Sequence, residues 1–328
     1  MESPDQPMTE HAADHAQADP MRPRSSFAAH VLALRPKQWT KNTFVFAGLI
    51  FAKQFTDPEL CVAASLCAGL FCLGSSAIYL VNDITDVDED RLHPKKRKRP
   101  IASGQVAVKT AWVMAAVLFI AALVGSWFLF PGRPWVFACM AVYLAKELLY
   151  TFWLKHVVIV DILVNSVGFP LRAIAGILAI RMPGGDPIII SAWFLACIFF
   201  LSLFISVCKR RHELVLLQGD AANHRAVLAE YSHELLDQLV AISTSATVIC
   251  YALYTILKTP GSPEYLDPSF INPMVWTVPF VIFGIFRYLY LVYRREEGGA
   301  PEHLLFNDRW LLADVLVWLL IAGAVLMK

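Results

Sequence analysis

Charge is scarce in this chain. Only 17% of its 328 residues are Asp, Glu, Lys or Arg, while 57% are hydrophobic. An average soluble domain carries about 25% charged and roughly 45–50% apolar residues, so both departures point to a membrane protein. Cysteine is sparse too: seven residues, an odd number, most of them in apolar runs. That excludes a secreted disulfide scaffold. The apolar content excludes a disordered chain. The net charge of +1 singles out no partner, and no nucleic acid is expected. Residues 1–25 are polar and rich in Pro, Ala, Asp and His. They lack the basic-then-apolar order of a signal peptide and read as a disordered tail. Residues 26–328 read as a single transmembrane domain.

What the chain does have is long apolar runs. A bilayer core of about 30 Å takes about 20 helical residues. Nine runs qualify: 38–54, 59–83, 109–130, 134–153, 157–181, 188–208, 238–258, 273–293 and 309–328. The first is short and polar at its start. None alternates like a β-barrel strand. The expected fold is therefore all-α, a polytopic membrane bundle of nine transmembrane helices. Lys and Arg orient it. With the N-terminus cytoplasmic, one face collects Arg22, Arg24, Arg35, Lys37, Lys41, Arg91, the run 95–99, Lys155, Lys209, Arg210, Arg211, Arg225, Arg294 and Arg295. The opposite face receives only Lys53, Arg133, Arg181, Lys258 and Lys328. An even count of spans forces a basic loop to the wrong side.

The segment from Asn82 to Arg91 is acidic and lies where the second run meets the cytoplasm. Four-residue steps nearly complete a helical turn, so Asn82 or Asp83, Asp86 and Asp90 share one face. Like charges in such a row repel. A divalent cation removes the repulsion, and an oxygen-only ligand set suits Mg²⁺, which also accepts substrate phosphates. The rival reading is a solvated acidic helix end balanced by the basic run 95–99. The metal reading is preferred, with Asp83, Asp86 and Asp90 as metal-binding, catalytic carboxylates and Asn82 beside them.

After the sixth run, Glu213 stands alone among Lys209, Arg210 and Arg211. Cations without a metal suit phosphate, Arg as a fork and Lys as a point charge; simple positive-inside anchoring is the alternative. Ionisable residues at membrane depth are functional candidates by default. Lys146, Glu147, Asp161, Arg172 and Asp314 are such residues. Lys146 and Glu147 are sequence neighbours, which do not face each other on a helix. Asp161 is about one turn from Lys155 and can join a site there. Arg172 reads equally as a structural tie or a functional charge. Gly168 and Gly176 read as close-packing positions.

The motif N-D-x-x-D-x-x-x-D followed by H-P-x-K-R-x-R-P-I-A-x-G comprises Asn82, Asp83, Asp86, Asp90, His93, Pro94, Lys96, Arg97, Arg99, Pro100, Ile101, Ala102 and Gly104. It resembles the first aspartate-rich motif of the UbiA prenyltransferase superfamily, and the resemblance covers about residues 32–328. It implies a UbiA-like bundle in which that motif holds Mg²⁺ and a departing diphosphate. The superfamily's second D-x-x-x-D cluster is replaced here by Lys209-Arg210-Arg211-His212-Glu213-Leu214.

That run, the opening Arg35-Pro36-Lys37-Gln38-Trp39-Thr40-Lys41-Asn42, and Leu154-Lys155-His156 with Asp161 and Gly168-Phe169-Pro170-Leu171-Arg172 resemble the decaprenyl-phosphate phosphoribosyltransferase branch. The branch implies a plasma-membrane enzyme with a cytoplasmic active site. It would move 5-phosphoribose from phosphoribosyl pyrophosphate to a polyprenyl phosphate, for a cell-wall arabinan precursor. Under that reading Lys37, Lys41, Lys155, Lys209 and Arg210 cradle phosphates, with Asp161 and Glu213 beside them. Arg97 and Arg99 close over the site. Two rivals stay open: a prenyltransferase joining a prenyl diphosphate to an aromatic or other acceptor, and a lipid-phosphate transporter. A homo-oligomer also stays open.

Overall fold

The computed structural model describes residues 27–51, 54–93, 96–180, 191–216, 226–257, 272–294, 304 and 307–326. The expected tail at 1–25, Lys95 and Arg225 lie outside the described residues. The described elements are helical throughout. Eight helices among them are long and apolar enough to cross a bilayer. After the short α1 (Phe27–Ala33) and α2 (Ala47–Phe51), the long ones begin with α3 (Pro58–Thr85). The one-and-a-half-turn α4 (Val87–Leu92) follows it. Next come α5 (Val108–Phe128), α6 (Pro134–Phe152), α7 (Val160–Ile180) and α8 (Ala192–Leu216). The last are α9 (His233–Ile256), α10 (Val278–Arg294, entered through a 3-10 turn from Pro273) and α11 (Arg309–Leu326). Each overlaps one of the expected runs, most to within three residues at either end; α8 continues eight residues past the sixth run, so Lys209–Glu213 lie on it, and α9 starts five residues early.

The first expected run, 38–54, takes another form. Residues Pro36–Phe46 wind as a 3-10 helix and pass into α2. The reason is local. Pro36 opens the segment, and the hydroxyls of Thr40 and Thr43 bond to the carbonyls of Lys37 (3.1 Å) and Thr40 (2.7 Å). Such side-chain bonds compete with the α-helical ladder. The segment packs on α7 instead of presenting an apolar face to lipid. Gly176 makes this possible, since a Cβ there would sit 1.9 Å from the Val45 carbonyl oxygen.

Two cores result. One gathers Phe71, Ala122, Met140, Tyr143 and Ala175 from α3, α5, α6 and α7. The other gathers Phe204, Leu236, Leu291 and Leu311 from α8 to α11, with Ile162 of α7. Helix α7 thus serves both halves, and the space between them opens at one end of the bundle.

The second half is fastened by a fork. Arg287 donates to both oxygens of Asp308 at 3.0 and 2.6 Å, and Asp308 also accepts from the Leu311 N–H at the start of α11. The guanidinium holds the Asp308 carboxyl down, to about 2 from an ordinary 3.8. A depressed carboxyl stabilises the fold above its ordinary value, and that stabilisation is lost as pH falls through the folded value. Asp308→Asn should therefore lower the melting temperature at neutral pH. It should also erase the fork's share of acid destabilisation between about pH 4 and pH 2. Parallel thermal melts of both proteins in detergent across that range check this; melting curves that fall in step on acidification contradict it.

Candidate active site

Helices α3, α6 and α8 end, and α7 begins, around one cavity of about 320 Å³. The acidic row arrives on α3, but not on one straight helix. The chain breaks at Asp86 (φ −97°, ψ 13°) and restarts as α4. This is the sparsely populated bridge region where many active-site residues sit. Asn82, Asp86 and Glu89, four and three residues apart and so on one helical face, line the cavity, while Asp83 and Asp90 stand behind the wall.

Those two carboxylates are buried, at 2% and 1% exposure, and two arginines neutralise them. Arg35 grips both oxygens of Asp83, with Nε to Oδ2 at 3.2 Å and Nη2 to Oδ1. Arg99 bridges the pair, donating from Nη1 to Asp83 Oδ1 at 3.1 Å and to Asp90 Oδ2 at 2.5 Å. The repulsion for which the row was expected to need a metal is thus relieved partly by guanidinium groups. The sequence names Arg35 as an orienting charge and as the first residue of the Arg35–Asn42 segment, without a role at the acidic row. Arg35 is held in the left-handed region at φ 53°, uncommon for any residue but glycine. The Arg-Pro pair opening the 3-10 helix is the one signal in the sequence that marks it.

Asp86 pairs with Lys155 at 2.6 Å. Lys41, Lys209 and Arg210 line the cavity as well. Arg210 is 6% exposed and pairs with the fully buried Asp161 at 2.7 Å and with Glu213. Its Nε is a buried donor without a partner among the described residues. Lys37, expected in the phosphate cradle, and Arg97, expected to close over the site, are exposed and lie off the wall. The structure therefore brings together Lys41, Asn82, Asp86, Arg99, Lys155, Asp161, Lys209, Arg210 and Glu213, with Asp83 and Asp90 one layer back.

Deeper in the cavity Arg172 is a tie. It donates to Asn42 Oδ1 (2.8 Å), the Gly168 carbonyl (2.7 Å) and the Tyr143 hydroxyl (2.9 Å), joining three segments. Lys146 and Glu147, not expected to face each other, form an ion pair at 2.7 Å. Both side chains are long enough to bend into the space over Gly168. A Cβ there would lie 3.2 Å from Lys146 Nζ and 3.0 Å from Arg172 Nη1. That glycine makes room for charge rather than for a neighbouring helix. Asp314 sits away from the cavity, facing Gly284 of α10.

Among the described residues no group of three or more His, Cys, Asp and Glu side chains is arranged to hold a metal. The cavity wall nonetheless carries oxygen donors from Asn82, Asp86 and Glu89. Mg²⁺ is commonly held by one or two carboxylates, with substrate phosphates and waters completing its octahedron. The donor set fits that mode, and it does not fit a preformed cage of Asp83, Asp86 and Asp90.

Comparison with known proteins agrees with this architecture. The chain is 36% identical to decaprenyl-phosphate phosphoribosyltransferase of Mycolicibacterium smegmatis over 324 residues, covering 96% of this chain and 97% of that one. It is 37% identical to decaprenyl-phosphate phosphoribosyltransferase of Mycobacterium tuberculosis over 308 residues, covering 92% and 95%. A UbiA homolog from Archaeoglobus fulgidus, solved with GPP and Mg²⁺, superposes with a TM-score of 0.64 at 17% identity, over 92% of this chain and all of that one. That likeness concerns the fold. The profile of the UbiA prenyltransferase family matches residues 42–312, from the 3-10 segment through the start of α11, and the chain belongs to that family.

Proposed function

We propose that this enzyme transfers 5-phosphoribose from phosphoribosyl pyrophosphate to a polyprenyl phosphate of the decaprenyl type. One observation carries the reading. The cavity wall holds oxygen donors from Asn82, Asp86 and Glu89 on α3 and α4 and, from other segments, the cations Lys41, Lys209 and Arg210. A donor with a diphosphate at C1 and a second phosphate at C5, meeting a lipid phosphate, needs both kinds of group. A prenyl diphosphate and an aromatic acceptor have no phosphate left for the cations. The names of the relatives supply decaprenyl phosphate and the phosphoribosyl group, though not the pyrophosphate donor.

Asn82 and Asp86 are the residues that would hold Mg²⁺ against the pyrophosphate. Bound there, the metal neutralises charge developing on the leaving group. Lys155, already beside Asp86, adds a cation to the same oxygens. The bond from C1 to the pyrophosphate breaks, its electron pair leaves with the pyrophosphate, and a lipid phosphate oxygen bonds to C1. That oxygen is already anionic at neutral pH, so no residue has to remove a proton. Lys209 and Arg210, both lining the cavity, supply the cations for phosphate oxygens.

The proposal includes nine crossings of the plasma membrane, with the N-terminus and the cavity cytoplasmic. The charge asymmetry of the loops supports the orientation. The 3-10 segment with α2 supports the ninth crossing. At the rises of 3-10 and α-helices its length is about 30 Å, the thickness of a bilayer core.

The direct test incubates purified protein in detergent with labelled phosphoribosyl pyrophosphate, Mg²⁺ and a panel of polyprenyl phosphates. Label in the lipid, read by mass, is the expected result. Transfer of a prenyl group to an acceptor instead, or no turnover without a sealed membrane, overturns it. Lys209 is the cleaner cradle residue to probe, because it makes no ion pair among the described residues. Lys209→Ala should raise the KM for the donor roughly tenfold to a hundredfold, the scale of a lost charge-assisted hydrogen bond. An unchanged KM returns Lys209 to the role of a topology anchor.

A further inference from the structure

Tyr231 is not on the cavity wall and lies about 70 residues along the chain from the groups it touches, yet its hydroxyl joins a buried chain of contacts that ends on that wall. The hydroxyl donates to Asp161 Oδ1 at 2.7 Å and accepts from the Ile159 N–H at 2.7 Å. Asp161 is fully buried, and its other oxygen forms an ion pair with Arg210 Nη2 at 2.7 Å without hydrogen-bond alignment. Arg210 Nη1 goes to Glu213, Nε is buried without a hydrogen-bond partner among the described residues, and the residue lines the cavity.

The backbone underneath is strained. Ile159 has φ 68°, one of two non-glycine residues among those described with positive φ; the other, Arg35, also serves this cavity. A β-branched residue is an outlier there. Such conformations persist only where their surroundings over-determine them, and they cluster at functional sites. Here the Ile159 N–H is fixed by the Tyr231 hydroxyl, and the Ile159 carbonyl accepts from the Leu163 N–H at 3.0 Å. Burial and the Asp161 carboxylate push the Tyr231 phenol well above its usual value, so it remains a donor.

We propose that Tyr231 is a positioning residue for donor binding: by clamping Asp161 and the Ile159 turn, it aims Arg210 at a phosphate of the bound donor. This rests on the phosphoribosyl reading for the identity of the donor, but the clamp itself does not depend on it. Without the hydroxyl, Asp161 is held from one side only and the Arg210 fork loses its fixed bearing. Packing is untouched by Tyr231→Phe, since the ring stays in its apolar cluster with Val227 and Leu236.

The experiment uses the full chain in detergent and four proteins: wild type, Tyr231→Phe, Arg210→Ala and the double variant. Tyr231→Phe should raise the donor KM roughly threefold to tenfold, the scale of one neutral hydrogen bond, and affect kcat less. Arg210→Ala should raise it further. The double variant should match Arg210→Ala, because residues acting in one chain are not additive. A tyrosine that only supports the fold lowers the melting temperature at unchanged KM, or multiplies its effect with that of Arg210; either result overturns the proposal. If Tyr231→Phe yields no folded protein, the same change is made with Ile159→Gly, which removes the strain at a half-exposed side chain. The KM rise should reappear there, and a wild-type KM overturns the clamp. If wild type does not turn over phosphoribosyl pyrophosphate, the functional reading fails and the affinity for inorganic phosphate decides. A loss in Tyr231→Phe that Arg210→Ala shares retains the clamp, and equal affinities in wild type and Tyr231→Phe reject it.

Discussion

Asp86→Asn should lower turnover at least about 100-fold while leaving a folded, monodisperse protein. Outer-shell changes at metal sites already cost roughly 10–100-fold, and of Asp83, Asp86 and Asp90 it is Asp86 that lines the cavity. Its partner Lys155 reaches it from the loop after α6 and keeps some contact with the open cavity, so the loss of charge strands no deeply buried cation. Asp83→Asn is a different experiment. Asp83 is the buried counterion of Arg35 and Arg99, and breaking a buried pair from one side costs about 3–5 kcal/mol. Its phenotype should therefore be dominated by yield and melting temperature. The comparison uses single-turnover rates normalised to folded protein. Near-wild-type turnover in Asp86→Asn, or in wild type with EDTA, removes the Mg²⁺ mechanism.

Gly176→Ala should abolish the folded enzyme. The added Cβ would lie 1.9 Å from the Val45 carbonyl oxygen, 2.7 Å from its carbon and 3.0 Å from its Cα. These are backbone atoms and cannot swing aside. Overpacking a core costs about 1–3 kcal/mol where side chains can adjust, and more where they cannot. The 3-10 segment must instead lift off α7, which also pulls Asn42 from Arg172. Gly69→Ala, on α3 with nothing within 4 Å of its new Cβ, is the control. It should be neutral or stabilise by up to about 1 kcal/mol, as alanine does in helix interiors. Size-exclusion profiles after a heat step report both. Equal melting of Gly176→Ala and wild type means the segment does not rest on α7.

The eight long helices were legible in the sequence because hydropathy is summed along the chain, and each run carries its own transfer free energy. The acidic row and the basic run after the sixth span were legible from residue type and spacing. Which charge meets which was not. Arg35 reaches Asp83 across 48 positions, and Tyr231 reaches Asp161 across 70; no local pattern encodes such pairings. Lys37 and Arg97 stand in the same basic runs as Lys41 and Arg99, and only the turns of the folded chain separate the pair on the wall from the pair in solvent. The break at Asp86 was hidden for a similar reason. Helical spacing assumes that a helix continues, and nothing between Asn82 and Arg91 is a strong breaker.

The seat of Pro36–Phe46 on α7 puts manufacture and assembly in opposite order. This segment is among the first to be made, yet α7 begins roughly a hundred residues later, and at ~5–20 residues per second it waits several seconds at least. During that interval Asn42 and Val45 have no Arg172 or Gly176 to settle against, and so polar a stretch gains little from lipid alone. The piece synthesised first is thus docked late, as a keystone set after the arch around it. A defect on α7 should therefore show itself in newborn chains as a misplaced N-terminal segment, well before any loss of catalytic competence is measured.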